Sequence, residues 1–246
     1  MFLKPKYTSP NFNDRADGQK PSMILLHYTG MKTAKGALEQ LCNPDAEVSA
    51  HYVIEENGKT HQLVDDDKRA WHAGKSFWAG ETDINSASIG VEIVNPGHEF
   101  GYEEFTKKQI EAVIDLCKSL LLKYEIPAHR VLAHSDVAIT RKVDPGHLFP
   151  WADLAAQGVG LWPVPTEMDY QAAEDMVVNH EAFHELLCAY GYNFEPDFGE
   201  TVVAYHRHFY PEKFDHWDDK SNEPDVLSCA RLLALIRRKH ELENAA

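Results

Sequence analysis

Two short apolar runs in the chain each lead directly into a histidine. Residues 23–26 precede His27, and residues 131–133 precede His134. Short aliphatic runs without polar alternation are typical of strands that are buried on both faces. A polar side chain at the end of such a strand lies at the rim of the sheet, where catalytic groups gather. The pattern therefore predicts a buried sheet with two histidines at its edge.

Further elements follow from turn and capping signals in the first half of the chain. Thr33 is a predicted cap for a helix over residues 34–41. The Asn57-Gly58 pair predicts a hairpin between strands at 51–55 and 59–64, because both residues tolerate positive φ. A long loop rich in glycine and aromatic residues is expected to follow the hairpin, whereas the lead-in over residues 11–21 is expected to be irregular.

The clearest predicted helix begins after Thr106, where Gln109 completes a capping box. Its inner face carries apolar residues at helical spacing, namely Ile110, Val113, Ile114, Cys117 and Leu121. A strand over residues 88–94 precedes this helix, and the strand ending at His134 follows it. These elements predict an α/β (α+β) fold with a mixed central sheet flanked by helices.

The character of the chain changes near residue 160. The stretch 157–165, with two glycines and two prolines, predicts a boundary between a first domain of residues 1–163 and a second of residues 164–246. Three helical patterns follow, over residues 183–190, 202–209 and 226–238, and Gly191 is a predicted C-cap. The second domain is thus predicted to be small and three-helical. His206 and His208 are expected to be exposed on it.

Composition narrows the classes of function. The chain has 246 residues, 43% of them hydrophobic, and a formal net charge of −15. This charge argues against nonspecific binding to nucleic acid or to an anionic membrane, so an acidic substrate must be held by local basic or metal groups. No apolar run reaches the length of a membrane span. The four scattered cysteines predict free thiols rather than a disulfide framework.

Asp144 adds a carboxylate to the two strand-end histidines. It follows His134 by ten residues and lies in an Asp-Pro-Gly turn, which could fold it back toward the imidazole. Two imidazoles and one carboxylate are the usual protein ligands of an open zinc site. The residues alone also allow two hydrogen-bonded rim histidines and an ordinary turn aspartate.

Six segments, taken together, resemble a known family. They occur in the order LLHYTG, AHYVI, AWHAG, GVEI, AHSD and DPGHLFPW. Over residues 7–163 the chain resembles the zinc-dependent N-acetylmuramoyl-L-alanine amidases of the AmpD/AmiD type. The resemblance implies cleavage of the amide between muramic acid and L-alanine, with peptidoglycan or muropeptide fragments as partners. It also implies one Zn²⁺ ion held by His27, His134 and Asp144.

The same resemblance implies roles for further side chains. Glu92 would be the general base, and strand alternation turns it away from its apolar neighbours. Lys142 would stabilise the oxyanion that develops at the carbonyl. Trp71, His72 and Asn95 are candidates for the groove that holds glycan and peptide. The second domain resembles small peptidoglycan-binding modules, chiefly through CAYGYNF and AYHRHFYP.

Two other classes of function remain as alternatives. A noncatalytic peptidoglycan-recognition protein would share the fold, although such binders typically lack part of the ligand set. A zinc protease is suggested by the HExxH match of His180 and His184, with Glu200 as a conceivable third ligand. The start of the chain lacks a secretory apolar stretch, which predicts a cytoplasmic protein, or a periplasmic or outer-membrane-associated one if a leader has been removed.

Overall fold

The computed structural model describes residues 6–214 and 222–245. Residues 1–5, on which the prediction about a leader largely depends, lie outside this range. The described strands are β1 (Phe12–Asp14), β2 (Met23–Tyr28), β3 (Tyr52–Ile54), β4 (Thr60–Gln62), β5 (Lys68–Ala70), β6 (Ser88–Ile93) and β7 (Val131–Ala133). The described α-helices are α1 (Ala34–Leu41), α2 (Ile84–Ala87), α3 (Gly97–Phe100), α4 (Lys107–Tyr124), α5 (His134–Val137), α6 (Trp151–Ala156), α7 (Glu167–Met176), α8 (His180–Tyr190), α9 (Phe198–Phe209) and α10 (Val226–Ala245).

A five-stranded mixed sheet forms the centre, in the order β4-β3-β6-β2-β7. Strands β3, β6, β2 and β7 run parallel to one another. Strand β4 pairs antiparallel with β3 and forms the second arm of the predicted hairpin. In the register, His27 on β2 lies beside Glu92 on β6, while Leu26 lies beside Ala133 on β7. Parallel strands end at a common edge, so this register places His27, Glu92 and the start of α5 together. The predicted α/β class and central sheet are confirmed.

The two faces of β2 pack against different parts of the chain. Ile24 and Leu26 share a buried cluster with Val113 and Cys117 of α4, whose capping box between Thr106 and Gln109 forms as predicted. Met23 and Leu25 belong to a second cluster that includes the tail residues Phe183, Leu187 and Tyr205. The sheet is therefore covered on one face by α4, and the other face shares its core with the helices that follow residue 163.

The tail contains one helix that the sequence analysis did not identify. Helix α7 precedes the three expected helices, and Thr166 caps it with Asp169 in a second capping box. Gly191 ends α8 as predicted, at a φ of 149°. A Cβ at Gly191 would come within 2.5 Å of the Trp78 ring, which packs against Tyr190 and Tyr192. The apolar core thus runs across the predicted boundary, and the division at residue 163 remains a prediction.

Two expectations about local structure were wrong. The lead-in contains β1, which pairs antiparallel with β5. His206 and His208 are buried rather than exposed, because only 0% and 1% of their surface is accessible to solvent. Both sides of α9 are covered, because His206 Nε2 contacts Ser228 Oγ on α10 and His208 Nδ1 contacts Asp136 on α5. No helix in the described ranges is long and apolar enough to cross a membrane.

Candidate active site

Three predicted ligand atoms converge at the edge of the sheet. His27 Nδ1 and His134 Nδ1 lie 2.9 Å apart, and each lies 3.0 Å from Asp144 Oδ2. All three residues are buried, and within the described ranges they form a group that could hold a metal ion. His27 is the penultimate residue of β2, His134 begins the helix that follows β7, and the turn at Asp144 closes the trio. The structure therefore brings together candidate ligands that are up to 117 residues apart in sequence.

The proton on His134 can be assigned from its other ring nitrogen. His134 Nε2 lies 3.0 Å from the carbonyl oxygen of Ala73, which can only accept, so Nε2 carries the proton. In the neutral ring, Nδ1 then offers its lone pair toward His27 and Asp144. Arg141 Nη2 donates to the same carbonyl oxygen at 2.7 Å and holds it in place. Acceptor atoms that face one another at 3.0 Å or less repel unless a cation lies among them, so the donor set fits a divalent metal.

The charge states also suit a metal centre. Burial, with the nearby His134 ring, lowers the pKa of His27 to about 4 and so keeps its imidazole neutral near pH 7. Burial alone would raise the pKa of Asp144, but its contacts with His134 and His27 outweigh this and hold the pKa well below the usual range. A neutral imidazole and an ionised carboxylate are the forms that bind metal.

Glu92 carries an unsatisfied atom beside this trio. Its Oε2 is buried and has no hydrogen-bond partner among the described residues. Burial, and then the charge of Asp144, raise the pKa of Glu92 well above its usual value, while Lys142 opposes the shift. A buried polar atom without a partner calls for a physical explanation. A water molecule between Glu92 and a metal ion would provide one.

A cavity of about 390 Å³ opens over these groups. The ligand trio, Glu92 and Lys142 line it together with Trp71 and His72, so seven of the eight predicted site residues share this cavity. Asn95 is not among the residues that line this cavity. Its Nδ2 donates to the Glu103 carbonyl oxygen at 2.8 Å, and its Oδ1 accepts from the Gly97 amide at 3.0 Å. Its role in substrate binding remains a prediction.

Two residues near the cavity were missed by the sequence analysis. The Oδ1 atom of Asn85 accepts from the backbone amides of His72 and Ala73, at 3.0 and 2.8 Å, and so fixes the loop beneath the site. Arg141 lines the cavity and donates to the Ala73 carbonyl oxygen. Only the burial of Asn85, at 7% exposure, identifies it, and burial of a single polar side chain in a one-turn helix such as α2 leaves no sequence pattern.

The HExxH histidines do not form a comparable group. The ring of His180 stacks on Phe198, with centroids 4.9 Å apart, and the ring of His184 stacks on Phe194 at 4.8 Å. Glu200, the conceivable third ligand, accepts from the Asp197 amide as part of the cap of α9. Among the described residues, only the trio around Asp144 offers converging metal ligands.

Comparison with known proteins identifies the family. The N-acetylmuramoyl-L-alanine amidase family (Amidase_2) matches residues 17–147. The chain is 36% identical to the amidase AmiD of Escherichia coli over 213 residues, which cover 78% of this chain and 76% of AmiD. It is 30% identical to the 1,6-anhydro-N-acetylmuramyl-L-alanine amidase AmpD of Haemophilus influenzae over 161 residues, which cover 58% of this chain and 85% of AmpD.

Solved structures agree over nearly the whole chain. A complex of Escherichia coli AmiD with anhydro-N-acetylmuramic acid-L-Ala-D-γ-Glu-L-Lys matches with a TM-score of 0.75 and 30% identity, and covers 93% of this chain and 98% of that one. AmpDh3 of Pseudomonas aeruginosa matches with a TM-score of 0.78 and 28% identity, and covers 97% and 98%. The chain belongs to the N-acetylmuramoyl-L-alanine amidase family and is a hydrolase of that class. The resemblance inferred from the six segments is confirmed.

Proposed function

We propose that this protein is a zinc-dependent amidase that cleaves the bond between N-acetylmuramic acid, including its 1,6-anhydro form, and the L-alanine of the stem peptide. The observation that carries the proposal is the convergence of His27, His134 and Asp144 at the floor of a cavity, within 3.0 Å of one another. The substrate class is supported by relatives named as anhydromuramyl-L-alanine amidases and by AmiD bound to an anhydromuramyl peptide.

The protein side chains divide the proposed chemistry among them. A zinc ion with three protein ligands activates a water molecule near neutral pH and polarises a carbonyl group. Glu92 Oε2, buried and unpartnered, would accept a proton and later pass it to the leaving amine of L-alanine. The Lys142 ammonium would stabilise negative charge on the carbonyl oxygen. Trp71 lines the same cavity and would contact the substrate.

Metal removal and product analysis test the proposal together. The protein is treated with a chelator, dialysed, and incubated with anhydro-muropeptides before and after one equivalent of zinc is added. Mass spectrometry should detect free stem peptide with a new L-alanine amino terminus only in the zinc-loaded sample. Turnover that persists in a metal-free His134→Ala variant would overturn the mechanism. A parallel digest of polymeric wall measures the preference for the anhydro form.

A noncatalytic recognition protein, the alternative from the sequence, is not favoured by the site. The complete ligand trio, with Glu92 beside it, favours an enzyme over a binder. The same digest distinguishes an enzyme from a binder, because a binder releases no stem peptide. Equilibrium dialysis would still show that a binder retains muropeptides. Zinc-dependent release of the peptide excludes the binder.

We also propose that residues 164–246 hold wall material. Their resemblance to peptidoglycan-binding modules supports this role, and the tail presents Phe194, 67% exposed, stacked on His184. Exposed aromatic rings suit the apolar faces of sugars. Co-sedimentation with purified sacculi should weaken in a Phe194→Ala variant, and unchanged sedimentation would contradict a role for this ring.

We further propose that the protein acts in the cytoplasm. The support is chemical, since Cys42, Cys117, Cys188 and Cys229 are all free, and free thiols are typical of reducing compartments. Cell fractionation followed by immunodetection tests this, and recovery in the periplasmic or membrane fraction would contradict it.

A further inference from the structure

A chain of hydrogen bonds extends from the ligand His27 to the carbonyl oxygen of Ile84. His27 Nε2 lies 3.0 Å from His72 Nδ1. On the far side of that ring, His72 Nε2 lies 3.3 Å from Ser88 Oγ. The Ser88 hydroxyl in turn donates to the Ile84 carbonyl oxygen, one helical turn earlier in the chain.

The donor and acceptor in each of these hydrogen bonds can be assigned from the Ile84 carbonyl oxygen, where the series ends. A carbonyl oxygen cannot donate, so the single proton of the Ser88 hydroxyl goes to Ile84, and Ser88 can only accept from His72. His72 therefore carries its proton on Nε2. With its proton on Nε2, the neutral ring presents Nδ1 to His27 Nε2 as an acceptor at 3.0 Å. The proton of His27 must then lie on Nε2, which leaves Nδ1 free to face Asp144.

We infer that His72 is a positioning residue: by accepting the proton of His27 Nε2, it fixes the tautomer and the ring orientation that His27 needs as a metal ligand. This inference rests on the zinc site proposed above. Residues that orient ligating histidines in this way typically contribute 10–100-fold to metal affinity. His72 is a candidate for substrate binding from the sequence, but both of its ring nitrogens contact protein groups, His27 and Ser88.

Gly90 supports the inference independently. A Cβ atom at Gly90 would lie 2.4 Å from His72 Cγ, so the ring occupies the space that any other residue at 90 would fill. Glycine in the middle of a strand often marks such a close approach. The backbone of His72 is held in place as well, because its amide N–H donates a hydrogen bond to Asn85 Oδ1 at 3.0 Å. The ring is thus confined between β6 and His27, and its orientation is determined by its surroundings.

Zinc affinity in matched variants tests this role. The dissociation constant for zinc is measured by chelator competition for the wild type, His72→Ala and His72→Asn. We expect His72→Ala to bind zinc about 10–100-fold more weakly. His72→Asn should retain most of the affinity, because its side-chain oxygen can accept near the position of Nδ1. Nitrogen-15 spectra of the histidine rings should show the Nε2-protonated form of His27 in the wild type and its loss in His72→Ala.

Gly90 provides a second approach that leaves His72 itself unchanged. Gly90→Ala should displace the ring and weaken zinc binding, yet add nothing further in a His72→Ala background, where the space is vacant. If Gly90→Ala fails to fold, the comparison of His72→Ala with His72→Asn still decides. Wild-type affinity in a folded His72→Ala variant would overturn the inference and leave the proposed function intact. A wild type that binds no zinc would overturn both.

Discussion

Two regions of the molecule carry histidines and an acidic residue in patterns that suggest zinc, and only one of them forms a site. At the sheet edge, His27 and His134 lie within 3.0 Å of Asp144, and all three are buried. On α8, His180 and His184 have the spacing of a protease motif, but each ring stacks on a phenylalanine instead. The histidines that lie close together in the sequence are the ones that do not converge in the structure.

The difference lies in what holds the second nitrogen of each ring. His134 Nε2 donates to the Ala73 carbonyl oxygen and His27 Nε2 contacts His72, so both Nδ1 atoms point inward. On α8, His184 Nε2 is buried without a partner among the described residues, and none of the described groups that could hold a metal includes this ring. A metal site thus requires a hydrogen bond to the second nitrogen of each ligating ring, which fixes the orientation of the ring. Correct spacing on a helix does not provide such a bond.

Removing one histidine from each region should produce the largest contrast. We expect His134→Ala to lose stoichiometric zinc and to reduce turnover of anhydro-muropeptides to background, because two ligands cannot retain the ion. His184→Ala should keep both the zinc content and the turnover of the wild type. Elemental analysis and the peptide-release assay measure the two quantities. Loss of zinc from a folded His184→Ala protein would revive the protease motif.

Glu92→Gln should separate catalysis from metal binding. The substitution keeps the shape of the side chain but removes its ability to take a proton, so we expect kcat to fall roughly 10²–10⁴-fold while zinc content stays unchanged. The matched control is Glu181→Gln in the HExxH segment, where the side chain is exposed and turnover should not change. Equal rates for Glu92→Gln and the wild type would exclude Glu92 as the base.

The sequence predicted most strands and helices that carry the candidate site, but few of the side chains that hold the surrounding loops in place. Strands and caps follow from local rules, so the hairpin at Asn57-Gly58 and the capping box at Thr106 were found. The convergence of His27, His134 and Asp144 was predicted by combining strand-end histidines with family segments, and their role as ligands remains a prediction. Ser88 and Asn85 act through contacts with distant loops, which no local pattern encodes. His206 and His208 were expected at the surface because two residues in an H-x-H run point to different sides of a helix, whereas α9 is packed on both sides.

Buried and exposed histidines should also differ in their effect on stability at acidic pH. Burial lowers the pKa of His51 to about 4, with Arg15 also disfavouring its charge and the Lys68 carbonyl and Asp66 favouring it. Below pH 6.5 the unfolded chain takes up a proton that the folded chain excludes, so stability falls between about pH 6.5 and 4. His51→Asn should lessen this slope by up to about 1.4 kcal/mol per pH unit.

Urea unfolding of the metal-free protein from pH 7 to 4.5 measures the slope. His180→Asn, which changes an exposed ring in the same way, is the control variant. An identical slope in His51→Asn would mean that this ring takes up its proton equally in the folded and unfolded states.

The smallest predicted effect concerns how the tail supports the site. Tyr192 donates to Asp136 Oδ1 at 2.8 Å, and His208 contacts Oδ2 at 2.7 Å. Asp136 lies two residues after the ligand His134 and also accepts from the Ala133 amide, so the tail holds the turn that presents the ligand. Tyr192→Phe leaves a buried carboxylate oxygen without its donor, which should lower the free energy of unfolding by about 1–3 kcal/mol.

Tyr170→Phe is the matched control, because this tyrosine also lies in the tail but is 39% exposed. Its urea midpoint should equal that of the wild type, while that of Tyr192→Phe falls. A single cooperative transition in both variants would mean that the tail and the sheet unfold together, as their shared core suggests. A separate early transition of the tail in Tyr192→Phe would instead support the division at residue 163. In that case the tail would be a domain with its own folding equilibrium, and it would stabilise the turn at His134 through the contacts of Tyr192 and His208 with Asp136.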